Sequence, residues 1–249
     1  MSADRIPPLA EMGTEEVGAL GSGWWALLPI GATEAHGPHL PLATDVIIAE
    51  GVAAAAAQLL AAKGVTARVM PPIAYSVTDC AADFPGTVGV SRATARAVLF
   101  DLAASVVRSG ARGLCLINAH LEPEHRHSLR DVVETPPAGG ATVLFPDIVR
   151  GRFARRLGEE FMSGACHAGS YETSIVLALR PELVHMDRAA ELPPNPVSLG
   201  QALAEGKKTF LEAGGPRAYF GDPAAASAQE GRQWVSVLAE IVVESIEQD

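Results

Sequence analysis

Cysteine is scarce in this chain: Cys80, Cys115 and Cys166 are the only three in 249 residues, odd in number and unevenly spaced. That excludes a disulfide framework. Basic residues are outnumbered, 19 Lys and Arg against 29 Asp and Glu, for a net charge of −10. Without clustered cations a protein cannot track a phosphate backbone, so nucleic acid is not an expected partner. No apolar stretch reaches the ~20 residues of a membrane span, so no membrane partner is expected. The alanine-rich run Val52–Ala62 is short and followed by Lys63-Gly64, as a core helix would be. Met1 to Leu9 lacks the basic-then-apolar order of a signal peptide. Charge runs, repeats and low-complexity tracts are missing too, and no linker interrupts the sequence. The expectation is a cytoplasmic enzyme with one domain over residues 1–249, its core drawn from a hydrophobic content of 48%.

What is there concentrates in two short stretches. The first runs from Leu27 to Asp45: an apolar run ends at Gly31, and Glu34, His36, His39 and Asp45 follow. Pro38 and Pro41 lack an N–H and fix φ, so this segment reads as a buried strand opening into a rigid loop rather than a helix. Glu34 and His36 are two apart, and alternate residues of extended backbone share a side. A carboxylate oxygen and an imidazole nitrogen can thus converge, as mixed N/O metal sites require.

A lone pair of this kind is weak evidence, but it returns reversed. Leu114 to Asn118 is a second apolar run, and His120 and Glu122 stand two apart beyond it. Two strands that end alike place their loops at one edge of a parallel sheet, where α/β proteins form binding crevices. Asp45 follows Thr44 at the start of a helix, where it serves either the helix dipole or the same site. Together the five residues offer two imidazoles and three carboxylates. Three carboxylates and one hydroxide balance two divalent cations, which is the chemistry of a two-metal hydrolytic centre.

Periodicity and punctuation predict the remaining elements. A short helix is expected over Pro8–Leu20, with Thr14 as its cap, and strands over Trp24–Ile30, Val65–Met70, Gly113–Ile117 and Ala141–Phe145. Helices are expected over Thr44–Ala62, from Ser91 to Gly110, over Pro123–Glu134, and over Ile148–Leu157, Tyr171–Leu179, Ser198–Leu211 and Ala225–Ile246. Strands alternating with helices predict an α/β fold, a mostly parallel sheet with helices on both faces.

A third cluster, His167-Ala168-Gly169-Ser170-Tyr171-Glu172-Thr173-Ser174, precedes and opens a helix. His167 near a metal pair would move a proton at neutral pH, and Glu172 would orient it or hydrogen-bond a ligand. A plain capped helix start is the competing account, and local sequence leaves both open. His39 is off the side shared by the first pair and reads as structural. His125 and His127, after Pro123, read as a solvated helix face. Cys80 has no apparent base or positive neighbour to make it a nucleophile, and Cys166 stands beside His167, but adjacent residues rarely point together.

These motifs taken together resemble the creatininase (creatinine amidohydrolase) family, whose signature G-x-x-E-x-H-G-x-H-L-P-x-x-T-D is matched by Gly31 to Asp45. Phe84-Pro85-Gly86-Thr87, Asn118-x-His120, the cluster from His167 to Ser174 and the stretch from Gly221-Asp222-Pro223 to Gly231 are similar to further family landmarks. The resemblance implies a layered α/β/α fold and a dinuclear zinc or manganese hydrolase of a C–N amide bond, usually a homohexamer. It places Glu34 and His120 on one metal, His36 and Glu122 on the other, Asp45 between them, and His167 as acid/base. Tyr75, Thr78, Leu121 and Tyr171 are the expected substrate contacts, for a small cyclic or linear amide. Two departures bear on the substrate: Leu121 replaces an aromatic residue of creatininase itself, and Thr78-Asp79-Cys80-Ala81 replaces a Ser-x-Glu-His run. The family also includes peptidases acting on short peptides and deformylases. A scaffold holding metals without turnover is the reading of a different class.

Overall fold

Trp24–Ile30 is buried along its whole length and forms β1. A continuous apolar run suits a strand covered on both faces, which in a parallel sheet needs no polar alternation. The computed structural model describes residues 5–136 and 142–249. Within them β2 (Ala67–Val69), β3 (Ala111–Asn118) and β4 (Thr142–Leu144) complete a parallel sheet in the order β2-β1-β3-β4. Ala141, which the sequence pattern gave to the fourth strand, and residues 1–4 of the Met1–Leu9 segment lie outside the described residues.

Ten α-helices are described: α1 (Thr14–Ala19), α2 (Thr44–Ala62), α3 (Arg92–Arg108), α4 (Pro123–Glu134), α5 (Gly151–Ala154), α6 (Gly158–Ser163), α7 (Ser170–Leu179), α8 (Met186–Ala189), α9 (Leu199–Ala204) and α10 (Ala228–Glu247). Alternation along β1 divides the core. Trp25 and Leu27 face α2, α7 and α10, whereas Trp24, Ala26, Leu28 and Ile30 face α3 and α4. The result is the expected α/β/α layering. Helix α2 has the length and apolarity of a membrane span by composition. Val52, Ala53, Ala56, Ala57 and Leu60 on it are instead buried in the core.

Some boundaries differ from the sequence expectation, and backbone chemistry explains them. The stretch Ile148–Leu157 is helical only over α5, and a second short helix, α6, starts at Gly158, whose φ is +86°. The stretch Ser198–Leu211 is helical only to Ala204, because Gly206 turns left-handed at φ +95°. Helix α2 starts on Thr44 itself, whose hydroxyl donates to the Pro41 carbonyl at 2.7 Å. Thr14 likewise opens α1 after Gly13. Ser91 does cap α3, accepting the Thr94 amide at 3.2 Å.

Strands β1 and β3 are neighbours whose last residues, Ile30 and Asn118, stand opposite each other. The Ala119 amide continues the ladder to the Ile30 carbonyl at 3.1 Å. The loop carrying Glu34, His36 and Asp45 and the turn carrying His120 and Glu122 therefore leave the same edge side by side.

Candidate metal centre

Gly31 makes the first loop possible. A Cβ built there would lie 2.5 Å from the Val46 amide nitrogen and 2.8 Å from the Asp45 Cβ, so only glycine lets the loop fold back onto the start of α2. The Ala35 amide then donates to Thr87 Oγ1 at 3.2 Å, which pins the loop to the Phe84–Thr87 turn. On the second strand, Asn118 holds the His120 backbone from both sides. It donates to the His120 carbonyl at 2.6 Å and accepts its amide at 3.3 Å.

Three imidazoles are oriented in one way: each donates one ring N–H to a backbone carbonyl and turns its other nitrogen towards carboxylates. His36 Nδ1 donates to the Glu34 carbonyl at 3.1 Å, which leaves Nε2 3.2 Å from Asp45 Oδ1, 3.6 Å from Glu172 Oε2 and 3.8 Å from Glu34 Oε1. His120 Nε2 donates to the Val77 carbonyl at 2.7 Å, which leaves Nδ1 3.2 Å from both Glu34 Oε1 and Asp45 Oδ2. His167 Nε2 donates to the Ala35 carbonyl at 3.0 Å, with Nδ1 3.9 Å from Glu34 Oε1. Such second hydrogen bonds fix tautomer and ring direction in metal-ligating histidines.

The carboxylates are anchored as well. Thr78 donates its hydroxyl to Glu34 Oε2. Glu122 accepts the amides of Asp79 and Cys80 at 3.1 and 3.0 Å, and Glu172 accepts the Ala168 amide at 2.7 Å. Asp45 shares itself, one oxygen towards each of His36 and His120. Three sets of donor atoms lie close enough for a common ion: Glu34, His120 and Glu122; His36, Asp45 and Glu172; and Glu34, His36 and His167. All are buried.

Crowding acids and imidazoles together away from water shifts each of them. Burial alone would lower the His36 pKa, but the carboxylates of Asp45, Glu172 and Glu34 raise it to about 10. His120 rises for the same reason, against its own burial, through Glu34 and Asp45. Burial works to raise Asp45, yet His36 and His120 hold it well below the usual range. Glu172 is pushed up to about 8, chiefly by burial. Protons on the histidines thus substitute for a cation. Even so, His36 Nε2 and Asp45 Oδ2 have no hydrogen-bond partner. Orphaned buried polar atoms are costly. Nitrogen and carboxylate oxygen converging on them are the donor set of zinc and manganese, so the residues suit a divalent ion.

Five of the expected residues, Glu34, His36, Asp45, His120 and Glu122, meet here with His167 and Glu172. Two placements differ from the expectation. Glu122 stands with Glu34 and His120 rather than with His36, because the Asp79 and Cys80 amides draw its side chain to that side. Glu172 faces His36 and Asp45 and makes no hydrogen bond with His167.

The cluster floors a cavity of about 580 Å³ whose wall includes Leu121, Phe161, Met162, Leu199, Leu203 and Phe210. Leu121 is thus a wall residue as expected. Tyr75 is not: it is 56% exposed and borders a separate hollow with Val98 and His125. Tyr171 is not either. It is buried in the core and packs on Phe161 and Trp234, ring centres 5.0 and 6.1 Å distant. Thr78 is buried and acts on Glu34 rather than on the cavity.

His125 is also corrected. It is buried, not solvated, donates to Asn118 Oδ1 at 2.8 Å and packs 4.9 Å from the His120 ring. His39 is structural as read, sharing a 2.9 Å hydrogen bond with Thr173. Burial pushes the Cys80 thiol up, helped by Glu122, and the Cys166 thiol up, helped by Glu172, so neither is a thiolate.

Sequence reasoning missed Glu160. It accepts the Ser170, Tyr171 and Asp222 amides at 3.1, 2.8 and 2.9 Å, capping α7 from another helix. No motif marks it; a lone acid between short helices carries no signal.

The family model described as creatinine amidohydrolase matches residues 10–246. The chain belongs to the creatininase family. As a member it is a metal-dependent amidohydrolase. It is 32% identical over 243 residues to a mycofactocin precursor peptide peptidase of Mycobacterium ulcerans, covering 96% of this chain and 90% of that one. A mutant creatininase complexed with creatine has TM-score 0.71 and 26% identity, over 96% of this chain and 97% of that one. An Mn creatininase has TM-score 0.70 and 25% identity, over 96% and 97% respectively.

Proposed function

We propose that this creatininase-family enzyme hydrolyses a C–N amide bond in a peptide-like substrate with apolar side chains, at a centre of two divalent ions, zinc or manganese. The observation that carries it is the division of Asp45: one oxygen faces His36 and the other His120 at the floor of a large apolar cavity. Glu34, His120 and Glu122 would hold one ion, His36 and Glu172 the other, and Asp45 both. When bound, the pair supplies positive charge for a carbonyl oxygen and acidifies water.

His167 then has a defined task. Its Nε2–H is committed to the Ala35 carbonyl, so Nδ1 carries the free lone pair beside Glu34. In the metal-free protein, burial and the neighbouring His36 lower its pKa to about 4, so the ring is neutral there. It takes a proton from the attacking water at Nδ1 and returns it to the leaving nitrogen. Water adds to the carbonyl carbon, the C–N bond breaks, and carboxylate and amine leave. The apolar side chains of the wall, Leu121, Phe161 and Phe210 among them, reduce the water around this exchange.

A peptide-like substrate is favoured over creatinine by the cavity. At about 580 Å³ with Phe161, Met162 and Leu203 in its wall, it suits a ligand of several residues. The M. ulcerans relative, named a peptide peptidase, supports the same choice. A small cyclic amide is the second reading, favoured by the activity for which the family is named. The three cysteines are free and buried, in keeping with a cytoplasmic enzyme. Assembly of identical copies belongs to this reading too and is checked by sedimentation. The test is a panel of cyclic amides, N-formyl compounds and short apolar peptides, given to protein loaded with zinc or manganese. Cleavage of peptides is expected; cleavage of cyclic amides alone would shift the reading to the second, and none at all would leave the scaffold account.

A further inference from the structure

The cavity wall contains a guanidinium that the metal chemistry does not use. Arg126 lies on α4 one helical turn beyond Glu122, its amide donating to the Glu122 carbonyl at 3.0 Å. It does not turn back to the Glu122 carboxylate, which is taken by the Asp79 and Cys80 amides. Instead its Nε and Nη2 donate to the two oxygens of Asp147 at 3.2 and 3.1 Å. Arg130, a further turn along, donates to the same Asp147 through Nε at 3.2 Å and Nη2 at 2.5 Å.

Asp147 is buried, and Arg126 and Arg130 hold it ionised below the usual carboxylate range against the effect of burial. Two guanidiniums on one carboxylate leave a net charge of +1. Arg126 uses Nε and Nη2 on Asp147, which leaves its Nη1 edge unspent. Its side chain is 15% exposed, and it lines the cavity whereas Arg130 and Asp147 do not. A fixed cation in an otherwise apolar wall is a strong anion receptor, because little water competes for it.

We propose that Arg126 is a specificity-determining residue that receives a carboxylate of the substrate, so that the enzyme prefers amides carrying a free acid one or two residue lengths from the bond it cleaves. The inference rests on the reading of the cavity as an amide-substrate site. The spacing follows from the helix. One turn separates Glu122 from Arg126, ~5–6 Å between side-chain bases, against ~3.8 Å per residue of an extended substrate. A carboxylate fits the net charge of +1 better than a phosphate dianion. The same cavity is lined by Phe161, Met162 and Leu203, which suit hydrophobic side chains on a substrate that carries that acid.

The experiment compares an acetylated leucine tripeptide with a free C-terminus and the same tripeptide as its C-terminal amide, by calorimetric binding and by turnover with metal-loaded enzyme. Native enzyme should bind the acid about 10- to 100-fold tighter, the range for one charge-assisted contact. Arg126→Met should bring that ratio close to one, and Arg126→Lys should restore part of it. Equal binding of acid and amide by the native enzyme, or no binding of either, overturns the proposal without recourse to any variant. If Arg126→Met weakens both alike and keeps their ratio, Arg126 merely ties α4 to Asp147 and the proposal falls. Preferred binding of the acid without cleavage of either peptide upholds the receptor and overturns the peptide-hydrolysis reading alone.

Discussion

The imidazole of His36 lies 3.6 Å from the carboxylate of Glu172, two groups contributed by a loop after β1 and by the first turn of α7. That contact puts Glu172 in the donor cluster, and it divides the cluster unequally between strand ends and a helix. Glu172→Gln keeps the volume and removes the charge. It should weaken one of two metal equivalents by about tenfold or more, whereas Glu122→Gln should weaken the other and Asp45→Ala both. Elemental analysis after dialysis against graded metal decides it; loss of both ions in Glu172→Gln would contradict the division.

His167 sits beside the donors but turns only one nitrogen to them. His167→Ala should keep both metals and lower turnover by about 10²- to 10⁴-fold, the usual worth of a positioned proton carrier. Metal content and rate are measured on the same preparation. If the ions leave with the ring, His167 belongs to the third donor set, with Glu34 and His36.

Metal-free protein should lose stability as pH rises. The His36 pKa moves from 6.5 to about 10, so the folded state holds its proton through that window while the unfolded chain releases it. The contribution is complete below pH 6.5 and gone above about 10. His120, raised by the same carboxylates, acts in the same direction. Scanning calorimetry of chelated protein between pH 7 and 10 should show a falling Tm, and bound metal should flatten the slope by replacing the protons. A Tm unchanged by pH in the chelated protein would refute the coupling.

Gly31→Ala should cost stability and metal binding together. The added methyl meets the α2 backbone at Val46 and Asp45, and overpacking of this kind costs ~1–3 kcal/mol or more. Asp45 is what moves, so metal affinity should drop in a variant that still folds. Denaturant midpoints and metal titrations on one sample test this; a variant that loses stability but binds metal normally would show that the loop yields elsewhere.

Much of this was readable from residue order. The apolar run Trp24–Ile30 reads as an interior strand and Leu114–Asn118 reads alike, and the pairing of β1 with β3 brings their tips together. The spacing of Glu34 from His36 and of His120 from Glu122 put each pair on one side of its own loop. The short helix after Ser198 was not readable as short, because the left-handed Gly206 cuts a run whose side chains favour helix, and the end of α5 at Ala154 carries no sequence signal.

Residue order brought out most of the side chains that meet in the donor cluster, because glycine, proline and two-residue spacing act within a few positions and leave the backbone little choice. Folding in three dimensions decided how they are shared out. Glu122 joins Glu34 because amides from the Asp79–Cys80 turn capture it, Glu172 reaches His36 because Glu160 caps α7 from outside, and Arg126 is held on Asp147. Those are contacts between segments distant along the chain, set by packing of layers on the sheet, and no local pattern encodes them.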